Sequence, residues 1–270
     1  MRNIGAAFRD LHKPGVPFVI PNPWDAGSAR MLAGLGYRAL ATTSAGFAFS
    51  QGLPDGATGF GAQLAHATEL AASVPLPVSA DLEKGAGDAP EDAAQTVRRA
   101  ADAGLAGCSV EDATGDRVRP IYDFTLAVER VAAGAEAARA LDRDFVFTAR
   151  AENFLNGRRD LDDTLKRLEA FAKAGADVLY APALPDLDAI RAACDLGKPV
   201  NALMGGSGAM FGIDELAEAG VARISVGSAL ARLAYGAVIR AAEDIRDRGR
   251  FGSLTAGASF SEIEGLLGDG

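Results

Sequence analysis

The sequence predicts a (β/α)8 barrel, and two observations carry that prediction. Short apolar runs, rich in β-branched residues, alternate with amphipathic helical runs along the chain, and no region holds strands alone. Alternation of this kind implies a parallel sheet covered by helices. The chain has 270 residues, near the roughly 250 residues typical of such a barrel. The number of βα units favours a closed barrel over an open, doubly wound sheet.

A recurring Ala-Gly pair marks the boundaries of these units. It stands where an amphipathic run ends and an apolar run is about to begin, and its glycines are Gly34, Gly104, Gly175 and Gly220. Each glycine fits the position just past a helix, which often has a left-handed backbone conformation. The first two intervals between these glycines are long enough for two βα units of roughly 30–35 residues, and the last for one.

These marks and the apolar runs between them predict eight strands. The strands are expected near residues 18–21, 39–43, 77–81, 107–111, 145–150, 178–181, 199–203 and 223–226. Helical runs fill the gaps, for example at 91–103, 124–141, 161–174 and 228–248, of which the last is unusually long.

The barrel is expected to span residues 1–250, followed by a tail at 251–270. The tail starts with a stretch rich in Gly, Ser and Thr and ends in a short apolar run at 263–267. Three interpretations stay open: a frayed terminus, a part of the same domain, or a segment that packs on a partner subunit.

Charge and composition limit the classes of partner. Lysine and arginine number 27 and aspartate and glutamate 36, for a net charge of −9. An acidic chain repels nucleic acid and anionic membrane surfaces, so the expected partner is a small molecule or a metal ion. The first residues lack the apolar run of a signal peptide, and no run of about 18 uncharged apolar residues occurs. The expected location is cytoplasmic, with Cys108 and Cys194 as free thiols.

Polar residues follow almost every predicted strand. In a (β/α)8 barrel the carboxyl ends of the strands form the active site, so these residues are the candidates for function. They are residues 22–25 after strand 1, residues 43–46 and Asp55 after strand 2, Asp81 and Glu83 after strand 3, Glu111 and Asp112 after strand 4, Arg150 and Glu152 after strand 5, and Asn201 in strand 7.

The carboxylates of this set predict a metal site. Asp81, Glu83 and Glu111 are expected at the same level on neighbouring strands, where they would repel one another without a counter-cation. Arg150 supplies one positive charge, and a hard divalent cation would supply the rest. Neither histidine lies at a strand end, and oxygen ligands alone favour Mg2+, or Mn2+ in its place, over zinc.

Several of these segments together resemble the isocitrate lyase/phosphoenolpyruvate mutase superfamily. The sequence reads D-L-E-K-G-A-G at 81–87, V-E-D at 110–112 and T-A-R-A-E at 148–152. These match the superfamily patterns D-x-[DE]-x-G-x-G, [IV]-E-D and [TA]-x-R-x-[ED] after strands 3, 4 and 5. T-S-A-G at 43–46 with Asp55 resembles the substrate loop and gating segment, and 22–29 resembles the opening strand–helix turn. The resemblance runs from about residue 5 to 245.

The resemblance implies an α/β barrel that forms a homotetramer, a dimer of dimers in which the eighth helix is exchanged between subunits. It implies a small carboxylate substrate and enolate chemistry with Mg2+. By this resemblance Asp81 would bind the metal, with Glu83 and Glu111 in its water shell. Catalysis would fall to Arg150, Asp55 and Glu111, and the substrate would contact Trp24, Ser44, Ala45, Gly46, Arg150 and Asn201.

Two motifs of the superfamily are absent. Members that cleave isocitrate or methylisocitrate carry K-[KR]-C-G-H after strand 4, but the loop at 111–120 holds neither Cys nor His. The mutase-type D-x-x-x-x-K-x-N loop is also missing, because Asp55 is followed by G-A-T-G. The proton donor is therefore unassigned, with Tyr122, Arg117 and Arg119 as side chains that could close over the site.

The predicted activity is thus a Mg2+-dependent carbon–carbon lyase or decarboxylase that acts on a small 2-oxo or 2-hydroxy di- or tricarboxylate through an enolate. Two alternatives stay open: an enzyme that acts on a P–C bond, as in phosphonopyruvate, and a non-catalytic protein that binds an oxo acid. The glycines at 205–208 and Gly227-Ser228 match the phosphate site common in such barrels; the other interpretation is turn glycines without a ligand.

Overall fold

The computed structural model describes residues 4–205 and 210–268, and this part of the chain forms a nearly closed barrel of eight parallel strands. The strands are β1 (Phe18–Ile20), β2 (Leu40–Ala41), β3 (Val78–Asp81), β4 (Gly107–Glu111), β5 (Val146–Arg150), β6 (Val178–Tyr180), β7 (Val200–Leu203) and β8 (Arg223–Ser225). Each predicted strand is present, and the predicted barrel is confirmed.

Helices alternate with the strands and cover the barrel. They are α1 (Ile4–Leu11), α2 (Ala26–Gly34), α3 (Ser44–Ser50), α4 (Phe60–Ser73), α5 (Pro90–Asp102), α6 (Phe124–Arg139), α7 (Leu161–Ala174), α8 (Leu187–Cys194), α9 (Ile213–Glu218), α10 (Ala229–Arg248) and α11 (Phe260–Leu267). The four helices expected from periodicity are present, with ends that differ by two residues or fewer. In the described part of the chain, no helix combines the length and the apolar character needed to cross a membrane.

The sheet order is β1-β8-β7-β6-β5-β4-β3-β2, so β1 and β2 are the two ends of the ladder. One backbone hydrogen bond, from the Ala41 N–H to the Pro21 carbonyl oxygen at 3.1 Å, bridges them. Because neighbouring strands are parallel and nearly in register, their last residues meet at one rim of the barrel. Arg150, for example, pairs with Glu111 on one side and Tyr180 on the other.

The helix α1 was not expected from the sequence. It covers the amino-terminal end of the barrel, where Phe8 is fully buried against Phe18. Arg9 fastens it by donating to Asp177 Oδ1 at 2.8 Å and to the Phe145 carbonyl oxygen at 2.7 Å. This helix therefore closes the end of the barrel opposite the candidate site.

The prediction for the marker glycines was right at three positions and wrong at one. Gly104, Gly175 and Gly220 have φ of +82°, +109° and +90°, the left-handed conformation expected past a helix. Gly34 instead remains in the last turn of α2. A Cβ there would lie 2.4 Å from the carbonyl oxygen of Leu266, so this glycine makes room for α11.

The tail at 251–268 is helical and packs on its own chain. It forms a 3-10 turn at Gly252–Ala256 and then α11, which lies against α2. Arg30 of α2 donates to the carbonyl oxygen of Leu267 at 2.9 Å. The helix α10 is different, because Ala231 is its one buried residue. It therefore leaves most of its surface uncovered by this chain.

Candidate active site

The candidate site is a cavity of about 170 Å3 inside the carboxyl ends of the strands. All eight strands contribute a side chain to its lining. A wider cavity of about 480 Å3 adjoins it and shares Ser44, Asp55 and Arg150 with it. This is the end of the barrel at which enzymes of this fold hold their substrates.

Asp81, the last residue of β3, lies against the first turn of α3. Its Oδ2 accepts from the Ser44 backbone N–H at 3.3 Å and from Ser44 Oγ at 3.0 Å, and its own N–H donates to Thr42 Oγ1 at 2.9 Å. The partial positive charge of the helix terminus favours an anion at this position. The predicted metal ligand and the predicted substrate donor are thus in contact.

Arg150 is the cation at the centre of the cluster. Its guanidinium lies 3.4 Å from Asp81 Oδ1 and 3.3 Å from Glu111 Oε2, and its Nε donates to Glu152. The ring of Tyr180 lies 5.1 Å from the guanidinium carbon. Burial acts to lower the pKa of Arg150, but the charges of Glu152 and Glu111 outweigh it and hold that pKa well above the usual value. Arg150 therefore stays charged and fixed.

A second buried ion pair supports Glu152 from behind. Asp112 Oδ1 accepts the Glu152 backbone N–H at 2.8 Å, and Asp112 Oδ2 accepts from Arg167 at 2.9 Å. The Asp112 and Arg167 side chains are 2% and 4% exposed. Because the pair is sealed from solvent, it fixes the backbone that carries Glu152, and through Glu152 it fixes Arg150.

The surroundings of the remaining carboxyl groups disfavour their ionised form, so their pKa values are raised. Burial, followed by the negative charge of Asp81, raises the pKa of Asp55. Glu83, which has a left-handed backbone with φ +50°, has its pKa raised by burial and again by Asp81. The pKa of Glu111 is raised well above the usual value, chiefly by burial. Positive charge is in short supply here, since nearby Lys84 pairs with Asp88 instead, at 2.8 Å.

This charge surplus fits a divalent cation bound mainly through water. Among residues 4–205 and 210–268, no group of three or more His, Cys, Asp or Glu side chains is arranged around one point that could hold a metal. Mg2+, however, usually keeps several waters and binds through one or two carboxylates together with substrate oxygens. Asp81 as a direct ligand, with Glu83 and Glu111 holding waters, fits these donors and stays a prediction.

The predicted substrate residues divide into two groups. Ser44, Ala45 and Asn201 line the cavity, as do Asp55 and Arg150. Trp24 and Gly46 do not line either cavity. The Gly46 N–H donates to Thr43 Oγ1 at 3.1 Å as part of the cap of α3, and a Cβ on Gly46 would lie 3.1 Å from the Trp24 Cβ. These two residues therefore pack behind the wall.

Both histidines lie away from the strand ends, as expected. His66 stacks on Phe47, with ring centroids 4.1 Å apart, and hydrogen-bonds the Trp24 carbonyl oxygen. His12 lies at the other end of the barrel, and burial followed by the charge of Arg223 lowers its pKa to about 3. Neither ring borders the two cavities of the site.

Of the three side chains expected to close over the site, one borders it. Arg117 is exposed at the edge of the wider cavity. Tyr122 faces away, because its hydroxyl donates to Asp88 Oδ1 at 2.5 Å and its ring lies 4.5 Å from the guanidinium carbon of Arg130. Arg119 lines a different groove. Tyr122 and Arg119 are thus not placed to move a proton at the cluster.

The glycines after β7 and β8 can be judged only in part. Residues 206–208 lie outside the described residues, and Gly205 is explained by packing, since a Cβ would lie 2.2 Å from the Val226 carbonyl oxygen. The N–H groups of Val226 and Gly227 both donate to Asn22 Oδ1 at 2.9 Å. In this arrangement those two donors are occupied by the protein itself.

Four lining residues were not singled out from the sequence. They are Ser79, Tyr180, Arg223 and Ser225, which point into the barrel from the strands. Asn22, one of the candidates after strand 1, also lines the cavity. A polar residue inside a short apolar strand was the signal available for them, because a doubly covered strand should otherwise be apolar on both faces.

Comparison with known proteins gives the family. A family model described as phosphoenolpyruvate phosphomutase matches residues 8–246. The chain belongs to this family. A crystal structure of a candidate lyase/mutase from Burkholderia cenocepacia is 55% identical, covers 96% of this chain and 94% of its own, and superposes with a TM-score of 0.93. The superfamily predicted from the motifs is therefore confirmed.

Two further relatives have named activities. The 2-methylisocitrate lyase of Salmonella typhimurium is 32% identical over 81% of this chain and 76% of its own. The crystal structure of 2,3-dimethylmalate lyase is 27% identical, covers 99% of this chain and 96% of its own, and has a TM-score of 0.85. Both relatives are lyases, and the lyase class predicted for this chain is confirmed.

Proposed function

We propose that this chain is a divalent-cation-dependent lyase that cleaves a carbon–carbon bond in a small 2-oxo or 2-hydroxy di- or tricarboxylate through an enolate. The observation that carries the proposal is the cluster at the strand ends, in which Asp81, Glu111 and Glu152 all contact Arg150. That arrangement combines a fixed cation with a surplus of negative charge, and both features suit an anionic substrate that arrives with a metal ion.

The cation in this proposal is Mg2+, held by Asp81 and, through water, by Glu83 and Glu111. When bound, it would supply a Lewis acid that polarises the substrate oxygen next to the scissile bond. Arg150 binds a substrate carboxylate, and Glu152 holds the guanidinium in place while it does so. Ser44 and Ala45, at the start of α3, form the wall beside that carboxylate.

For a 2-hydroxy acid the atoms balance as follows. A base removes the hydroxyl proton, the oxygen becomes the carbonyl of one product, and the electron pair of the broken bond becomes the enolate of the other. A proton then returns to carbon. Asp55 borders both cavities, and burial raises the pKa of its carboxyl group, so we assign the proton transfer to Asp55.

The test is turnover of a substrate panel by the purified chain with Mg2+. The panel holds oxaloacetate, isocitrate, 2-methylisocitrate, other 2-alkylmalates and phosphonopyruvate, and the products followed are pyruvate, glyoxylate and phosphate. We expect cleavage of at least one carboxylic acid, its loss in EDTA and its recovery with added Mg2+. Turnover that survives EDTA would refute the role of the cation.

Action on a P–C bond is the second candidate, and the description of the family model favours it. The engagement of the Val226 and Gly227 N–H groups by Asn22 argues against a phosphoryl subsite after β8. Release of phosphate or formation of a phosphonate isomer in the panel would select this candidate. Silence across the panel with Mg2+ binding intact would select a role in binding an oxo acid.

We also propose that α10 packs on a second copy of this chain, within a dimer of dimers. Leu233, Val238 and Ile239 of α10 are 65%, 65% and 56% exposed. At 3.6 residues per turn they lie on different sides of the helix, so a partner subunit that covers them would surround much of α10. We expect light scattering to give a tetramer and Leu233→Glu to give smaller species. A tetramer unchanged by that substitution would place the interface elsewhere.

A further inference from the structure

The inner end of the cavity holds a second buried arginine, Arg223, which no part of the proposed mechanism uses. It is the first residue of β8, it is 5% exposed, and it lines the same cavity as Arg150. Its position is deeper in the barrel, since its Nη2 donates to Thr148 Oγ1 at 3.2 Å, two residues before Arg150 along β5.

The hydrogen-bond partners of Arg223 are all neutral. Its Nε donates to Asn201 Oδ1 at 2.9 Å, and its Nη1 lies 3.3 Å from His12 Nε2. His12 Nδ1 lies 2.9 Å from the Phe8 carbonyl oxygen, which can only accept. The Nδ1 atom therefore carries the proton, and Nε2 accepts from Arg223.

This leaves an uncompensated charge in the barrel. In the described part of the chain, no carboxylate lies within ion-pair distance of Arg223. A guanidinium has five N–H groups, and the three contacts to Asn201, Thr148 and His12 leave two of them without a partner among the described residues. Burial lowers the pKa of Arg223 to about 10. A buried cation without a counter-charge is costly, and buried charges in proteins are as a rule paired, so an anionic ligand would supply the counter-charge that Arg223 lacks.

The cavity is therefore polarised. Arg150 at its rim has more carboxylates than it can neutralise, whereas Arg223 at its floor has none. An anion that enters is attracted toward the floor, while its metal-binding oxygens are favoured at the acidic rim. The volume of about 170 Å3 admits a small organic acid.

From this geometry we infer that Arg223, with Asn201 and Ser225 beside it, is a second anion subsite that binds one carboxylate of the substrate. The inference rests on the proposed function in that the ligand is a substrate carboxylate. It adds how the di- or tricarboxylate would bind: one carboxylate at Arg150 and a second directed into the barrel at Arg223. A guanidinium offers a carboxylate two parallel N–H donors.

The test measures binding and does not depend on turnover. Calorimetric titrations with Mg2+ present would compare oxalate, malonate, succinate and glutarate on the wild type, Arg223→Gln and Arg223→Lys. We expect Arg223→Gln to weaken at least one of the longer acids by about tenfold or more and oxalate, which is too short to span the cavity, by less than about twofold. Arg223→Lys keeps the positive charge but loses the two parallel N–H donors, so its affinities for the longer acids should lie between those of the wild type and Arg223→Gln.

The matched control is Arg9→Gln, which removes an arginine near the same end of the barrel that pairs with Asp177 outside the cavity. It should leave all four affinities unchanged. Circular dichroism establishes that each variant folds. If Arg223→Gln does not fold, the titrations of Arg223→Lys alone are compared with those of the wild type. Equal affinities for every acid in wild type and Arg223 variants would overturn the subsite, as would an equal loss for oxalate and the longer acids.

A second experiment distinguishes a subsite for a substrate carboxylate from a site for an inorganic anion such as chloride. Thermal unfolding is compared in sodium chloride and sodium gluconate at one ionic strength. Chloride stabilisation of wild type but not Arg223→Gln, with unchanged dicarboxylate affinities, would mean that the floor holds an inorganic anion, against our inference. The proposed function fails separately: it fails if no panel compound is turned over, even where the selective loss of longer acids is observed.

Discussion

The buried pair Asp112–Arg167 gives the sharpest test of how the site is supported. Its side chains are 2% and 4% exposed and 2.9 Å apart. Removing one partner of such a pair leaves the other charge buried and typically costs about 3–5 kcal/mol. We therefore expect Arg167→Met to lower the free energy of unfolding by about 3–5 kcal/mol, because Asp112 keeps its place but loses its cation.

The same helix carries a matched control. Lys173 pairs with Glu169 one turn apart at 2.6 Å, but these side chains are 73% and 52% exposed. Exposed pairs contribute roughly 0–1 kcal/mol, so Lys173→Met should change the free energy of unfolding by no more than that. The two substitutions remove the same kind of contact from α7 and differ in burial.

Urea denaturation followed by circular dichroism measures both effects, with the slope m checked for constancy. The double variant Asp112→Asn/Arg167→Met should regain part of the loss, since it removes the stranded charge, and the cycle isolates the coupling. A loss below about 1 kcal/mol in Arg167→Met, or no recovery in the double variant, would refute the reasoning. Because Asp112 also holds the Glu152 N–H, we expect Arg167→Met to lower kcat as well.

Three further predictions concern the metal, the pH dependence and the tail. Asp81→Ala should abolish activity and weaken Mg2+ binding in calorimetry while the circular dichroism spectrum stays unchanged; full activity would remove Asp81 from the metal site. The pKa of His12 is lowered to about 3, so the unfolded chain binds more protons below its ordinary pKa of about 6.5. The free energy of unfolding should therefore decrease as the pH falls, by roughly 2 kcal/mol between pH 7 and pH 5. Urea denaturation at a series of pH values measures this dependence. His12→Asn should make it weaker, and an unchanged pH dependence in that variant would contradict the reasoning. Gly34→Ala should loosen α11, because its Cβ would clash with Leu266, and limited proteolysis should then cleave the tail faster. The control Gly61→Ala, with open space around the new Cβ, should leave the cleavage rate unchanged. Equal cleavage rates in the two variants would show that the packing of α11 does not depend on Gly34.

The strand positions were predictable because they depend on local signals. Gly104, Gly175 and Gly220 end helices, and an apolar run follows each of them. The helix α1 carries no such mark and buries little beyond Phe8, so the glycine pattern did not predict it. The tail was ambiguous for the same reason, since its packing depends on the contact between Gly34 and Leu266.

The acidic cluster was predictable to the level of the strand ends. Asp81, Glu111 and Arg150 follow from register, because parallel strands bring their last residues to one rim. Strand register alone does not predict that Glu152 contacts Arg150 directly or that Asp112 is buried behind it. Both features depend on the directions in which these side chains point. Those directions are settled by the buried contact with Arg167, which lies on a helix 55 residues further along the chain.

Asn22 and Trp24 show what a motif match leaves undetermined. Both stand in the turn after β1 that resembles the superfamily, and Trp24 was the residue expected at the substrate. In the structure Asn22 takes the inward position: its amide donates to the Thr42 carbonyl oxygen at 2.9 Å and accepts the N–H groups of Val226 and Gly227. It thereby joins the ends of β1, β2 and β8 at the point where β1 and β2 share no ladder. The junction between β1 and β2 is thus closed by the Asn22 side chain together with the backbone hydrogen bond from Ala41 to Pro21, and Trp24 packs behind the wall.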